Sequence, residues 1–426
     1  MVELSSNNHN LSMFASALLL AFVALALTLV KGEWVNEKNR ALSDSKRQVS
    51  VKEYTLNLDL PQEERWKEIG QEYSDRAWQL TKYLKDNLPD GWLEPLEKLA
   101  TQLMPFFTDY GGEMQGYADA LGISSGDVVM INLVYQLEHL GIGCGMANTT
   151  GPVNIPFCNK AQGDGYGNLQ YPEEDDLDSE RDGPDMCTSF VASTPSGDIW
   201  HGRNLDWNLQ DSLKEFIINV DYTRSGKTVF KGTTIVGFVG ILHAVKENGF
   251  AWSMDARRKG GSIAFNTLEA VMSAGSRTPE QHARAVFESD DITKYSDAVA
   301  ALGEHNIVNP CYYIVSGMKY PEGTVLARGR EGVAKEWPMG SDSPPLGEQS
   351  WYTAVTNYDL DHNPPPSDDR TTPLIENLNA MKGQNYGETE VWTILKTWPT
   401  FNMHTDITMV TSPKEGFFNV VIWMDH

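Results

Sequence analysis

Apolar residues are spaced differently in the two parts of the chain, and the first part has mostly helical spacing. Residues 33–50 are polar and are predicted to lack regular structure, whereas 51–58 alternate in polarity as an edge strand does. From 61 to 87 apolar residues recur near helical spacing, which predicts one long helix. Three further helices are predicted, at 94–104, 113–121 and 125–140.

Beyond residue 186 the pattern changes to short apolar segments separated by turn residues, which is typical of paired strands. Three hairpins are predicted, at 188–204, at 216–234 and around Glu247-Asn248-Gly249. Helices are predicted at 266–274, 279–289, 295–302 and 389–397, and further strands at 311–317, 324–329, 405–411 and 417–424. Strands grouped around a block of helices predict an α+β fold in which sheets and helices form layers.

Two segments divide the chain into its predicted parts. Residues 11–30 form an apolar run that suits a signal peptide cleaved near residue 32, a retained membrane anchor or a buried helix. Residues 144–186 are rich in glycine, proline, asparagine and acidic residues, and are predicted to form an exposed linker. The predicted organisation is a leader at 1–32, a helical N-terminal chain at 33–186 and a strand-rich chain at 187–426.

Composition and charge exclude some classes of function. The 426 residues carry 34 basic and 58 acidic side chains, and the net charge of −24 argues against a nucleic-acid partner, since nucleic acids are bound through basic residues. The nine histidines lack the spacing of metal ligands, and the sequence has no phosphate-binding loop. Neither a metal nor a cofactor is therefore predicted.

The cysteines and one sequon bear on the compartment and the chemistry. Asn148 begins a glycosylation sequon, which suits a lumenal protein. Four cysteines are too few for a disulfide scaffold. Cys144 and Cys158 are near enough in sequence to close one loop, which leaves Cys187 and Cys311 without an assigned partner.

The candidate chemistry lies around Cys187. In an antiparallel hairpin with its turn at 195–198, Cys187 lies opposite a residue between 204 and 206. The thiol then comes within reach of Arg203 and Asp206 at the end of one hairpin. Each residue alone also fits a simpler role, a buried cysteine or a structural ion pair, and it is their coincidence that indicates a site.

A set of four motifs includes these residues: Cys187-Thr188-Ser189, the segment 201–207, Thr356-Asn357-Tyr358-Asp359 and Asp368-Asp369-Arg370. Together they resemble the choloylglycine hydrolase-like branch of the N-terminal-nucleophile amidases. Within that branch the chain is most similar to the lysosomal lipid amidases, acid ceramidase and N-acylethanolamine-hydrolysing acid amidase. The resemblance implies a four-layer αββα fold, made as an inactive precursor that cleaves itself between Met186 and Cys187 into two associated chains.

The same resemblance implies a role for each of five residues. Cys187 would be the nucleophile and its freed amine the general base, which requires Cys187 to become a chain terminus. Asp206 would orient that amine, and Arg203 would favour the thiolate. Asn357 would donate to the oxyanion, and Arg370 would support the site. The implied substrate is a lipid amide taken transiently from a membrane or vesicle surface, in the lysosome or outside the cell.

The chain departs from the family pattern in two places. Where both lipid amidases have an acidic or amide residue, then Glu, then Arg, this chain has Asp255-Ala256-Arg257. The family's glutamate therefore has no counterpart, which leaves the pH optimum open. The insert at 144–186 is the second departure.

Three functions are weighed. The first is an amidase of lipid amides that prefers N-acylethanolamines to ceramide, as Leu205 and the segment 231–240 suggest by resemblance. The second is an acylase for smaller amides such as penicillin V or conjugated bile acids, and the third is a non-catalytic lipid-binding protein. A group of apolar residues would either reach a membrane or pack into the core: Leu93, Leu96, Leu99, Leu103, Met104, Phe106 and Phe107.

Overall fold

A computed structural model describes residues 40–41, 43–86, 109–134, 186–207, 209–257, 277–342, 344–345, 350–364 and 368–425, with isolated residues between 94 and 107. Several predictions fall outside these residues: the leader, most of the helix at 94–104, the linker at 144–186, Asn148, Cys144, Cys158 and the helix at 266–274. Within the described part of the chain, no helix is both long and apolar enough to cross a membrane.

The strands are numbered along the chain as β1 Arg47–Ser50, β2 Lys52–Asn57, β3 Met186–Ser193, β4 Ile199–Asp206, β5 Ile217–Arg224, β6 Lys227–Ile235, β7 His243–Lys246, β8 Phe250–Ala256, β9 Cys311–Ser316, β10 Gly323–Arg328, β11 Val333–Pro338, β12 Tyr352–Val355, β13 Thr405–Ser412 and β14 Phe417–Met424. They form two sheets. The first has the order β1-β14-β13-β4-β3-β12, and the second has the order β11-β10-β9-β8-β7-β6-β5-β2. Neighbouring strands are antiparallel except β2 and β5, which are parallel.

The helices are α1 Gln62–Arg65, α2 Lys67–Tyr73, α3 Trp78–Asp86, α4 Gly111–Leu121, α5 Ser125–Asn132, α6 Asp211–Lys214, α7 Pro279–Glu288, α8 Tyr295–Gly303, α9 Thr371–Ala380 and α10 Glu388–Leu395. The two sheets pack face to face through β3 and β4 against β8 and β9. Helices α7 and α8 cover the second sheet, and α9 and α10 cover the first. The predicted α+β fold with αββα layers is confirmed.

Local sequence explains why several elements begin and turn where they do. Thr278 caps α7 with its hydroxyl on the amide of Gln281, whose side chain accepts the Thr278 amide in return, and Pro279 suits the first turn. The turn between β5 and β6 uses positive φ angles at Ser225 and Gly226, as a two-residue hairpin turn requires. The three predicted hairpins are confirmed.

Two predictions about the N-terminal segment were wrong. The single helix expected at 61–87 is divided into α1, α2, a 3-10 turn at Ser74–Arg76 and α3. The helical path breaks at Trp66, whose ring is fully buried and stacks on Tyr117, so tertiary packing overrides the helical pattern. Residues 47–50, expected to be loose, form β1, which pairs with β14.

The N-terminal segment is attached to both sheets. Strand β1 lies at the edge of the first sheet, and β2 lies at the edge of the second. Helices α1–α5 continue the same core, since Trp66 also packs edge-on against Tyr222 of β5, and Tyr73 packs against Phe216. The segment that precedes Cys187 is therefore an integral part of the folded core.

Candidate active site

The hairpin of β3 and β4 places Cys187 beside the predicted partners. Cys187 pairs with Leu205, so the residue numbers of paired positions sum to 392, within the range expected. Side chains alternate along a strand, and Cys187, Ser189 and Arg203 therefore share the face toward the second sheet. Asp206 lies on the opposite face.

Arg203 joins the thiol to the second sheet. Its Nη2 lies 3.8 Å from Cys187 Sγ and also donates to the Met254 carbonyl. Its Nε donates to Asp255 Oδ1 at 3.3 Å, and its Nη1 donates to the Leu242 carbonyl at 3.1 Å. With a side chain 2% exposed, Arg203 is a buried, fixed positive charge beside the sulfur.

Asn357 binds the backbone nitrogen of Cys187. It follows β12, which pairs with β3, and its Oδ1 accepts the Cys187 N–H at 2.6 Å. Its Nδ2 donates to the Ala256 carbonyl at 3.0 Å, and Arg370 donates to Oδ1. These partners fix the orientation of the amide, because a guanidinium only donates and a carbonyl only accepts. The φ angle of Asn357 is +73°, in the left-handed region that asparagine tolerates.

Arg370 connects this arrangement to the start of α9. Its Nη1 donates to the Cys187 carbonyl and its Nη2 to Asn357 Oδ1 at 3.0 Å. Its Nε donates to Asp368 Oδ1 at 2.7 Å. The guanidinium thus touches Cys187 and Asn357, and Nη1 lies 3.9 Å from Asp206 Oδ2.

Asp206 lies at the end of β4 and is buried. Its Oδ2 accepts from Asn402 at 2.8 Å, while its Oδ1 has no hydrogen-bond partner among the described residues. Burial raises the pKa of Asp206 to about 7, against the opposing effects of the Arg370 charge and of hydrogen bonds from Thr405 and Asn402. In the intact chain it is Asn357, and not Asp206, that accepts the Cys187 N–H. The role expected of Asp206, to orient the amine, therefore applies only after cleavage has freed that amine.

Asp255 is a site residue that the sequence did not reveal as one. It lies on β8, where its Oδ1 accepts from Ser189 Oγ at 2.8 Å and from Arg203, while Oδ2 has no partner among the described residues. Burial raises its pKa to about 6, against the effects of Arg203 and Ser189. The available signal was a carboxylate near the end of a strand whose seven residues are all buried.

Burial and a nearby carboxyl group make the thiol of the intact chain a poor nucleophile. Burial raises the pKa of the Cys187 thiol to about 12, the charge of Asp255 adds to the shift, and Arg203 opposes it. A thiol must ionise to attack, so a neighbouring base is needed to take its proton. The second described cysteine, Cys311, is also free and buried.

A second carboxylate cluster lies near the site. Asp359 accepts from Arg257 at 2.9 and 3.0 Å and from the Tyr312 hydroxyl at 2.7 Å. Ligand atoms of Asp359, Asp361 and His362 lie within 4.8 Å of one another, the spacing that a metal site would need. Arg257 and Lys335 already bind these carboxylates, so the cluster is balanced by positive charges of the protein itself.

Comparison with known proteins finds several that are similar to this chain. The family model for the beta subunit of N-acylethanolamine-hydrolyzing acid amidase matches residues 49–110. The N-acylethanolamine-hydrolyzing acid amidase of Rattus norvegicus is 28% identical, over 85% of this chain and 86% of its own. Acid ceramidase of Mus musculus is 27% identical, over 86% of this chain and 84% of its own. In the solved structure of the Caenorhabditis elegans N-acylethanolamine-hydrolyzing acid amidase ortholog, identity is 30% over 53% of this chain and 93% of that chain, with a TM-score of 0.47.

The chain is similar over most of its length to N-acylethanolamine-hydrolyzing acid amidases and acid ceramidases. The family resemblance drawn from the sequence motifs is thereby confirmed. The family-model match at 49–110 contains none of the five candidate site residues, so it does not test their roles.

The departure from the acid amidase family at Ala256 has a structural counterpart. Ala256 is buried at the end of β8, and its carbonyl accepts from Asn357. The adjacent Asp255 faces Arg203 and supplies a buried carboxyl group near the thiol. The chain therefore has two carboxyl groups, Asp206 and Asp255, whose charges act on Cys187.

The apolar group expected to reach a membrane or to pack into the core is only partly described. Met104 and Phe107 are partly buried and pack against the main core, as the core-facing alternative predicts. The other residues of that group lie outside the described part of the chain.

Proposed function

We propose that this protein is the precursor of an amidase of lipid amides, activated by cleavage between Met186 and Cys187. The observation that carries the proposal is the environment of Cys187. Its nitrogen is held by Asn357, its carbonyl by Arg370 and its sulfur by Arg203. One residue whose nitrogen and sulfur are both held in place can supply a nucleophile and its own base.

The cleavage step uses the same thiol. Cys187 Sγ attacks the Met186 carbonyl carbon, a C–S bond forms, the Met186–Cys187 C–N bond breaks, and the proton lost by the thiol passes to the nitrogen, which leaves as an amine. Water then opens the thioester, which releases the Met186 carboxylate and returns the thiol. Burial of the uncharged thiol keeps the intact chain inactive toward other amides.

Hydrolysis of the lipid amide repeats this chemistry with the freed amine as base. The amine takes the thiol proton, the sulfur attacks the amide carbon, and the same proton passes to the leaving amine. Asn357 Nδ2 donates to the oxyanion, Arg203 stabilises the thiolate, and Asp206 holds the protonated amine. Water then hydrolyses the acyl thioester to the free acid, and Arg370 keeps Cys187 and Asn357 in register throughout.

Self-cleavage is the direct test. Acidified, purified precursor is expected to give two bands on a denaturing gel, and N-terminal sequencing of the larger fragment should begin at Cys187. Cys187→Ala should remain one band under the same conditions. Cleavage of that variant without added protease contradicts the mechanism, and a wild-type chain that stays intact and inactive favours a lipid-binding protein.

The names of the relatives support the substrate class. Proteins named for N-acylethanolamine hydrolysis and for ceramide match most of this chain, and we propose saturated N-acylethanolamines as the preferred substrates. Mature protein is to be incubated at several pH values with N-acylethanolamines, ceramides and bile-acid conjugates. Faster turnover of ceramide, or of the conjugates, would replace this substrate with the corresponding alternative.

The proposed mature form is a heterodimer of residues 33–186 and 187–426 in the lysosome or outside the cell. A family model described as that of a subunit is consistent with two chains. Fractionation of cells with antibodies to both chains, before and after removal of N-linked sugars, tests the compartment and the use of Asn148. A cytosolic, unglycosylated single chain would contradict the proposal.

A further inference from the structure

Lys46 lies in the N-terminal segment, and its side chain is buried against the first sheet. It precedes β1, and its side chain is 2% exposed. Its Nζ donates to the Thr405 carbonyl at 2.6 Å and lies 3.6 Å from Asp425 Oδ1. Asp425 is 58% exposed, and exposed partners contribute little, so this pair does not by itself explain why a charged amine is buried here.

Thr405 connects Lys46 to the active site. Thr405 is the register partner of Asp206 across β13 and β4, and its side chain hydrogen-bonds Asp206. Lys46 holds the backbone of the residue that faces the Asp206 carboxyl group.

The other carboxylates near Lys46 have their own partner. Lys214 Nζ lies 3.1 Å from Asp406 Oδ1, 3.1 Å from Asp211 and 3.3 Å from Asp425. The network behind the site therefore contains a lysine from the strand-rich chain that pairs with these acids. Lys46 adds a second positive charge, which comes from the other side of the proposed cleavage point.

We infer that Lys46 is a positioning residue of the active site, through which the N-terminal chain holds Thr405 against Asp206 and favours the carboxylate form of Asp206. The inference rests on the proposed function, in which Asp206 binds the protonated amine of Cys187. The N-terminal chain would thus complete the active site after cleavage.

The charges around Asp206 and Lys46 determine the direction in which loss of the Lys46 charge moves the pKa of Asp206. Asp206 is acted on by Arg370, Thr405, Asn402 and Lys46, and Cys187 is its neighbour on β3. Lys46 is itself acted on by Asp406, Asp425, Lys214 and Asp206, and it helps burial to lower the pKa of His404 to about 4. Removal of the Lys46 charge raises the pKa of Asp206 further, so a higher pH is needed to form its carboxylate.

The test is the pH dependence of kcat/KM in the mature enzyme. Lys46→Gln keeps a donor for the Thr405 carbonyl and removes the charge. The acidic limb of the kcat/KM profile of this variant should move to higher pH by roughly half a unit or more. Lys46→Arg should retain the wild-type limb. Lys52→Gln is the matched control, because Lys52 lies in the same segment, is 54% exposed and pairs with Glu72.

Each outcome of this experiment supports or overturns the role inferred for Lys46, or bears on the proposed function. A folded Lys46→Gln enzyme with the wild-type limb overturns the inference and leaves the amidase intact. Loss of folding in both the Gln and Arg variants also overturns it, because Lys46 is then purely structural. Absence of hydrolysis in the wild type defeats the proposed function instead, and the pH dependence of Cys187 alkylation in the same variants still reports on Asp206. Thr405→Val, which removes the hydroxyl on Asp206, should shift the limb in the same direction as Lys46→Gln.

Discussion

At the scale of single residues, the site is organised around the two ends of Cys187. Its backbone is bound by Asn357 and Arg370, whereas its sulfur faces Arg203 and, beyond it, Asp255. The first pair orients the nitrogen that cleavage would free, and the second pair sets the ionisation of the thiol. The two functions are carried by different side chains and can be separated by mutation.

Asn357 is predicted to act on both the nitrogen and the oxyanion. Asn357→Ala should lower turnover by about a hundred-fold or more while the protein stays folded, since an oxyanion donor is removed. Asn357→Asp keeps an acceptor for the Cys187 nitrogen but removes the donor, and it should be nearly as slow. Measured kcat with circular dichroism checks both, and an unaltered rate or a lost fold would make Asn357 a structural residue.

The negative charge of Asp255 is predicted to raise the pKa of the Cys187 thiol. Asp255→Asn keeps an acceptor for Ser189 and Arg203 but removes the charge, so the midpoint for alkylation of Cys187 should fall by roughly one pH unit. Iodoacetamide labelling of the Cys187 peptide, followed by mass spectrometry, measures the midpoint. Asp198→Asn, at the far turn of the same hairpin, should leave it unchanged, and an equal shift in both variants would rule out a local effect of Asp255.

At the scale of elements, what could be predicted was what depends on neighbouring residues. The hairpin arithmetic found the pairing of Cys187, and the Thr278 cap marked the start of α7, because turns and caps are written in a few adjacent residues. Strands β1 and β12 were missed because their partners, β14 and β3, are distant in sequence. The short β11, which pairs with the adjacent β10, was missed because its apolar pattern is weak. Asp255 was missed because its partners, Ser189 and Arg203, are distant in sequence.

The contact between α1 and α4 also depends on distant residues. At Gly116 of α4, an added Cβ would lie 2.3 Å from the Glu63 carbonyl oxygen. Gly116→Ala should therefore lower the free energy of unfolding by about 1–3 kcal/mol, although alanine normally stabilises a helix. Gly111→Ala is the control, because its Cβ would meet its nearest atom at 3.5 Å. Denaturant unfolding of the uncut Cys187→Ala chain measures both, and equal stabilities would show that the helices separate without cost.

At the scale of the whole molecule, a buried ion cluster joins the two proposed chains. Glu113 of α4 accepts from Arg284 of α7 at 2.6 and 2.8 Å, and both side chains are fully buried. Arg65 adds a third hydrogen bond at 2.8 Å, and the Trp66 indole a fourth. The cluster binds the segment before the cleavage point to helix α7 of the part that follows it.

Loss of one member should weaken the association of the chains. Glu113→Gln leaves Arg284 buried beside a neutral amide, so the free energy of unfolding should fall by about 3 kcal/mol or more. The control is Glu215→Gln, which breaks the exposed pair with Arg76 between the same two segments and should cost less than about 1 kcal/mol. Size-exclusion chromatography of the cleaved form at low concentration should then show separated chains only for Glu113→Gln. Equal behaviour of the two variants would contradict the role of the cluster.

The positions of β1 and β2 at the sheet edges determine which form of the chain can be produced in a folded state. Both strands come from the segment before Cys187, and each pairs with an outer strand, β14 or β5, that the described residues of 187–426 leave unpaired on that side. An uncovered edge offers unpaired amides and carbonyls to any other chain. Recombinant expression of 187–426 alone is therefore expected to yield aggregates. Active protein should instead be obtained by expressing the whole precursor and letting the purified precursor cleave itself in vitro.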